Sequence, residues 1–216
     1  QKMNVPPPTL CPDCRQQRRI AFRNDQNYYK NTCTLCKRAV VSIYSPDKPI
    51  LVLCPQCFWG DQWDPLEFGR EFDFSRPFFP QFAEMRAKVP RLAIFNTQSE
   101  NSEFTVHSSK NRNCYMAGSL VDCEDVHYSD WGMDSKDSMD LLFCSRVEMC
   151  YQCVNCQDCA HSNYLELCST MSESFFCFDC RGSKRLVGCT SMRNRKNHIL
   201  NQPASKEECL ETIQRL

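Results

Sequence analysis

Cys150-Tyr-Gln-Cys153-Val-Asn-Cys156-Gln-Asp-Cys159-Ala-His-Ser162 is the stretch that decides the fold of this chain. Its cysteines recur at every third residue. Working outward, eleven cysteines lie between Cys114 and Cys189, and every spacing between them is a multiple of three. Most fall on two ladders with a step of nine. One holds Cys114, Cys123, Cys150, Cys159, Cys168 and Cys177, with Gly132 and Leu141 in its gaps. The other holds Cys144, Cys153, Cys180 and Cys189, with Ser162 and Met171 in its gaps. Only Cys156 lies off both. Self-similarity at a fixed period marks a repeat architecture. A step of nine is half of an 18-residue coil, so residues 105–200 are expected to form a two-sided parallel β-solenoid of about five coils, with equivalent residues stacked about 4.8 Å apart. Cysteine suits an inward ladder because it is small, apolar and readily buried. Asn111, Asn113, Asp122, Asp125, Asp130, Asp137, Asn155, Asp158 and Asn163 are the expected turn residues.

The CxxCxxCxxC run invites an iron–sulfur or second metal site. Yet the ladders already place three of its four cysteines, and the run lacks the spacing and following proline of ferredoxin-type ligands. Asp134, Asp137 and Asp140 can line one acidic edge, as a cation site or as solvated turn residues, and the second is the expected reading. No nucleophile triad, phosphate loop, dinucleotide fingerprint or zinc-protease motif appears, and the four histidines are scattered.

The N-terminal third carries a different cysteine signal. Cys11-Pro-Asp-Cys14, Cys33-Thr-Leu-Cys36 and Cys54-Pro-Gln-Cys57 are three CxxC pairs. One CxxC turn points two thiolates at an ion, and two such turns close a tetrahedral zinc site. Cys33, Cys36, Cys54 and Cys57 form the best match. Ala39–Tyr44, a turn at Ser45-Pro-Asp-Lys-Pro49, and Ile50–Leu53 read as a hairpin between them, with a short helix after Cys57. That is a treble-clef order; pairing Cys11 and Cys14 with another pair, as in a zinc ribbon, is the rival. Cys11 and Cys14 otherwise remain for a second metal site or a redox role. The first histidine is His107, outside this module, which argues against nuclease chemistry of the HNH type.

The formal net charge is zero, but it is unevenly spread. Residues 1–57 carry nine Lys/Arg against three Asp/Glu, residues 58–110 six against eight, residues 111–180 three against twelve, and residues 181–216 eight against three. Arg15, Arg18, Arg19 and Arg23, with Tyr28, Tyr29 and Lys30, make a candidate RNA-binding set, because guanidinium groups hold phosphates and aromatic rings stack on unpaired bases. No apolar run approaches a membrane span and no signal peptide opens the chain. Eighteen cysteines, several in zinc-like pairs, point to a cytoplasmic setting.

Four segments result: a zinc module over 1–63, an aromatic-rich connector and solenoid cap over 64–104, the cysteine-laddered solenoid over 105–200, and a helix over 201–216. Phe78, Phe82, Met85 and Val89 recur at helical spacing, ending before Pro90, and the aromatics of residues 58–95 are expected as core. Ser205 and Glu208 form a capping box, with Leu210, Ile213 and Leu216 on the apolar side of the following helix. The expected class is therefore mainly β, with a treble-clef or zinc-ribbon module, a solenoid and a C-terminal capping helix.

The segments CPDCRQQRRIAFRN (11–24), SIYSPDKP (42–49), CPQCFWGDQWD (54–64) and DFSRPFFPQF (73–82) resemble a cysteine-rich, zinc-ribbon-like family predicted from the genomes of small uncultured bacteria. The resemblance implies zinc and a cytosolic bacterial setting, and carries over no activity and no catalytic residue. The function expected is a non-enzymatic zinc protein that contacts RNA or a ribonucleoprotein such as the ribosome, or another protein or itself through the solenoid ends. The alternatives are a metal or redox protein using the cysteine ladders and a structural assembly subunit.

Overall fold

The computed structural model describes residues 2, 6–21, 27–143, 145–155 and 157–216. Arg23, Cys144 and Cys156 fall outside them. The structure is mainly β, and a β-solenoid of about eight turns has its strands between Asn96–Thr97 and Lys196–Ile199.

Each coil has twelve residues, not eighteen. Parallel partners stand twelve apart throughout: Leu141 pairs with Cys153, Cys153 with Leu165, and Leu165 with Cys177. A coil has four sides of three residues, and each corner residue is left-handed, from His107 (φ 52°) through Asn113, Asp125 and Asp137 to Asn197 (φ 57°). Asn and Asp tolerate this region best, which explains their frequency at the corners. Asn111, Asp130 and Asn163 are corrections: Asn111 points inward and is buried, and Asp130 and Asn163 lie within a side and pair with neighbouring coils instead of sitting at a corner. Asp134, Asp137 and Asp140 are turn residues, at three successive left-handed corners of a coil.

The first residue of each side points inward: Cys114, Ala117, Leu120, Cys123 and Val126 are all buried in sequence. Among the described residues no inward position carries Phe, Tyr or Trp, because four short sides enclose too little room. Where Leu120 fills the axis, the next coil has Gly132, whose added Cβ would lie 2.8 Å from Leu120 Cδ2. Aromatic residues therefore ladder on the outside, as Tyr164 stacks on Phe176 at 4.6 Å.

Three backbone N–H groups per side must find acceptors. Two reach neighbouring coils: Arg112 N–H donates to Cys123 C=O at 2.9 Å, and Lys110 N–H to Thr97 C=O at 2.9 Å. The third belongs to the inward residue. Where the residue twelve earlier carries an acceptor, it turns toward that side chain, as Cys150 N–H does to Ser138 Oγ (3.1 Å), Leu186 N–H to Ser174 Oγ (3.2 Å) and Cys180 N–H to Cys168 Sγ (3.5 Å); elsewhere it can reach backbone, as Ala117 N–H does to Phe104 C=O at 3.3 Å. The same hydroxyl donates to the carbonyl two residues before it, as Ser174 Oγ does to Ser172 at 2.8 Å.

Thiols do likewise and also contact the carbonyl nine residues on. Cys114 Sγ lies 3.6 Å from Cys123 O, Cys168 Sγ 3.5 Å from Cys177 O, and Cys180 Sγ 3.5 Å from Cys189 O. The step of nine is thus a diagonal, one coil on and one corner back.

Both ends of the solenoid are covered, which shields open strand edges. At the C-terminal end Lys196–Ile199 turns back through Leu200 and Asn201 to pair antiparallel with Gln202–Pro203. Helix Lys206–Arg215 follows behind its capping box, with Ser205 Oγ accepting from Glu208 N–H at 3.1 Å. Its buried residue is Cys209, whereas Leu210 and Leu216 are exposed.

At the N-terminal end, α1 is Pro12–Ile20, β1 Tyr29–Thr32, β2 Ala39–Ser42, β3 Val52–Leu53, α2 Pro55–Phe58, α3 Phe78–Lys88 and β4 Arg91–Leu92. β3 pairs parallel with β4, just before the first coil. This covering leaves α3 outside, so the connector aromatics are a correction. Phe74 is 92% exposed and Phe79 78%; they belong to a surface cluster with Phe72, Phe78 and Phe82. The buried residue of α3 is Gln81, which donates to the carbonyls of Asp73 and Arg76. Only Phe58 and Trp63 pack as expected, against the buried cysteines of the module.

Ser174→Ala should lower stability by about 1–3 kcal/mol, because it strands the buried Leu186 N–H. Ser174→Cys should cost clearly less, since a thiol already serves this role at Cys168. Denaturant unfolding of the two variants against the parent checks the order.

Candidate metal centre

Cys33 and Cys36 sit in the turn between β1 and β2, which pair antiparallel from Tyr29↔Ser42 to Thr32↔Ala39. This corrects the expected hairpin: Ala39–Ser42 pairs with the strand before the knuckle, and Val52–Leu53 pairs with β4 instead. The knuckle closes with Cys33 N–H on Arg38 C=O at 2.9 Å and Lys37 N–H on Cys33 C=O at 3.0 Å, with Lys37 left-handed at φ 61°. Thr34 then ties it to β3, donating to Val52 C=O at 2.7 Å and accepting from Val52 N–H at 3.2 Å. That seam delivers Cys54, the N-cap of α2, and Cys57 within it.

The four sulfurs of Cys33, Cys36, Cys54 and Cys57 lie within 4.8 Å of one another, and among the described residues this group alone has the geometry to hold a metal ion. Cys36 Sγ and Cys54 Sγ are 3.8 Å apart, close to the tetrahedral edge of about 3.8 Å that metal–sulfur bonds of about 2.3 Å require. Cys33, Cys54 and Cys57 are buried and Cys36 is partly so. Four thiolates close the coordination shell and leave no position for a substrate.

The electrostatics suit a cation. Arg38 Nε donates to Cys36 Sγ at 3.3 Å, and the Cys54 N–H donates to Cys33 Sγ at 3.4 Å. The Arg38 hydrogen bonds hold the Cys36 thiol down at about 6, while burial first, and then the neighbouring sulfurs, push Cys57 up to about 12. In the metal-free protein the Cys36 thiolate therefore supports the folded module above its ordinary range, and that support is lost as pH falls through about 6. A dication relieves the crowding by drawing the proton from every thiol.

The remaining site candidates are dispersed. Cys11 and Cys14 are exposed and outside the cluster. Arg15, Arg18 and Arg19 share one face of α1, a helix with no buried residue. Tyr28 is engaged, with its ring edge-on to Phe104 and its hydroxyl donating to Ala117 C=O at 3.3 Å, so it docks the module on the solenoid. Tyr29 and Lys30 are exposed on β1. Lys30 lines a groove of about 980 Å³ between the module and the first coil, together with Val40, Cys54, Trp59, Ile94 and Asn96. Asn96 Oδ1 is shielded from solvent there with no hydrogen-bond partner. Arg38, Trp59 and Asn96 escaped the sequence reading. Arg38 sits two residues after a ligand cysteine, and nothing in the sequence marks Asn96.

The solenoid cysteines are a different population. Those described are buried. Burial pushes Cys114 up to about 11 and raises Cys123, Cys177 and Cys180. That shift makes these four poorly suited to thiolate chemistry. No helix among the described residues is long and apolar enough to cross a membrane. No protein-family model matches the chain, and neither does any curated protein.

Cys54→Ser should abolish metal binding in the module and expose its core to protease, whereas Arg38→Ala should leave the stoichiometry intact and weaken affinity by about tenfold. Metal analysis with a chelator competition checks both. Full stoichiometry in Cys54→Ser contradicts the ligand set.

Proposed function

We propose that this chain is a non-enzymatic, zinc-organised binding protein that contacts RNA or a ribonucleoprotein such as the ribosome, in the cytoplasm. Zinc is the metal favoured by four thiolates in a closed tetrahedron. With its knuckle and its second CxxC at a helix start, the module is proposed to be a treble-clef or zinc-ribbon variant.

One observation carries the partner. α1 buries no residue, yet it aligns Arg15, Arg18 and Arg19 on one face. A short helix that packs on nothing is marginal by itself, so its arginines have no packing duty in this chain. Planar guanidinium groups in a row match the phosphates of a nucleic-acid backbone. Support comes from the groove, where Lys30 and the exposed Trp59 stand together and an unpaired base has room to stack. The acidic solenoid corners repel phosphate and restrict contact to the module.

Fluorescence anisotropy with a labelled single-stranded RNA, measured across a salt series, tests this. Affinity should fall steeply with salt. Replacing Arg15, Arg18 and Arg19 by Ala should weaken binding to unrelated RNA sequences alike and flatten the salt slope, with zinc retained. Trp59→Ala should cost about tenfold or more with little change in slope. Absence of binding at low salt removes RNA as the partner.

A further inference from the structure

We propose that Cys11 and Cys14 are one half of a second zinc site, completed by the same two cysteines of a second copy of this chain.

The argument starts from a template inside the protein. Cys54-Pro-Gln-Cys57 supplies two of the four sulfurs of the closed cluster. Cys11-Pro-Asp-Cys14 repeats it in sequence and in backbone. Each first cysteine is a helix N-cap followed by proline, with φ −66°, ψ 160° at Cys54 and φ −61°, ψ 162° at Cys11. The Cys14 N–H donates to Cys11 Sγ at 3.4 Å, an amide-to-sulfur bond of the kind that Cys54 N–H makes to Cys33 Sγ. The second half-site is therefore preformed.

What differs is the partner. Cys54 and Cys57 face the knuckle of Cys33 and Cys36, whereas Cys11 and Cys14 face solvent. Two thiolates do not close a structural zinc site. The other described cysteines are either in the first cluster or buried, the latter in the solenoid and at Cys209. A second copy offers an identical exposed pair, and a two-fold axis through the ion brings two sulfurs from each chain. Four thiols lose four protons and the zinc tetrathiolate carries two negative charges. Arg15, Arg18 and Arg19 follow on the same helix and offset that charge, as Arg38 does beside the first cluster. The same dianion offsets the repulsion between the two basic helices.

The test uses the full chain, purified without oxygen and supplied with zinc, with metal analysis and light scattering on one sample. The expected result is a dimer with about three zinc ions per two chains. The double variant Cys11→Ser, Cys14→Ser should be a monomer with about one zinc per chain and an unchanged thermal transition, since both residues are exposed. A parent chain that stays monomeric in excess zinc overturns the proposal, whether it holds one ion or two. So does a Cys11–Cys14 disulfide formed in preference to zinc binding, or a dimer that survives the double substitution. None of these readouts involves RNA, so this proposal and the RNA reading fail separately.

Discussion

The inward-facing amide of every third residue is the constraint on which this structure depends. A four-sided coil bends the chain at each corner through a left-handed residue, and the bend turns one N–H in three toward the axis. Some of these amides still reach a carbonyl of the neighbouring coil, as Ala117 N–H reaches Phe104 C=O at 3.3 Å; the others need a side-chain acceptor. A buried, unpaired N–H costs about 1–3 kcal/mol, and the solenoid meets this problem in coil after coil. Serine and cysteine solve it: each is small enough for the narrow interior and carries an acceptor at the right reach. The abundance of cysteine at the described inward positions between Cys114 and Cys189 thus has a physical cause in the backbone itself. Serines such as Ser138, Ser162 and Ser174, fully or nearly buried, share that cause.

The same chain uses cysteine in a second, chemically opposite way. In the module, sulfurs crowd within reach of one ion and an arginine favours the thiolate; in the solenoid, burial and backbone carbonyls favour the thiol. The module also finishes the solenoid mechanically. β3 adds to the strand that leads into the first coil, Tyr28 anchors on Phe104 and Ala117, and the C-terminal helix closes the other end through Cys209. Metal binding and solenoid capping are therefore coupled through the Thr34–Val52 seam, because the segment that carries Cys54 is also the segment that covers the edge.

Much of this was legible from residue order. The inward register, its fillers Gly132, Leu141, Ser162 and Met171, the grouping of Cys33, Cys36, Cys54 and Cys57 in the module, the end of α3 before Pro90 and the Ser205 capping box all follow from spacing and side-chain type. The coil length did not, because nine, twelve and eighteen are all multiples of three and the cysteines lie on a diagonal. The period of twelve is written in the corners, where Asn101, Asn113 and Asp125 pass hydrogen bonds of 3.2 and 3.1 Å up one ladder. Strand pairing in the module was illegible for another reason. Four-residue strands of similar composition do not specify partners, and tertiary contact with β4 decides for Val52–Leu53. The exposure of the connector phenylalanines likewise depends on what already covers the first coil.

Residue-resolved amide hydrogen exchange on the native chain tests the central claim most directly. The inward amides of Cys150, Ser174, Leu186 and Arg195 each have a serine hydroxyl as acceptor. They are predicted to be protected to the same degree as the coil-to-coil amides beside them, since all open together when coils separate. Fast exchange at those inward positions, with protection confined to their neighbours, would show that the side chains do not hold the interior together and would contradict the account.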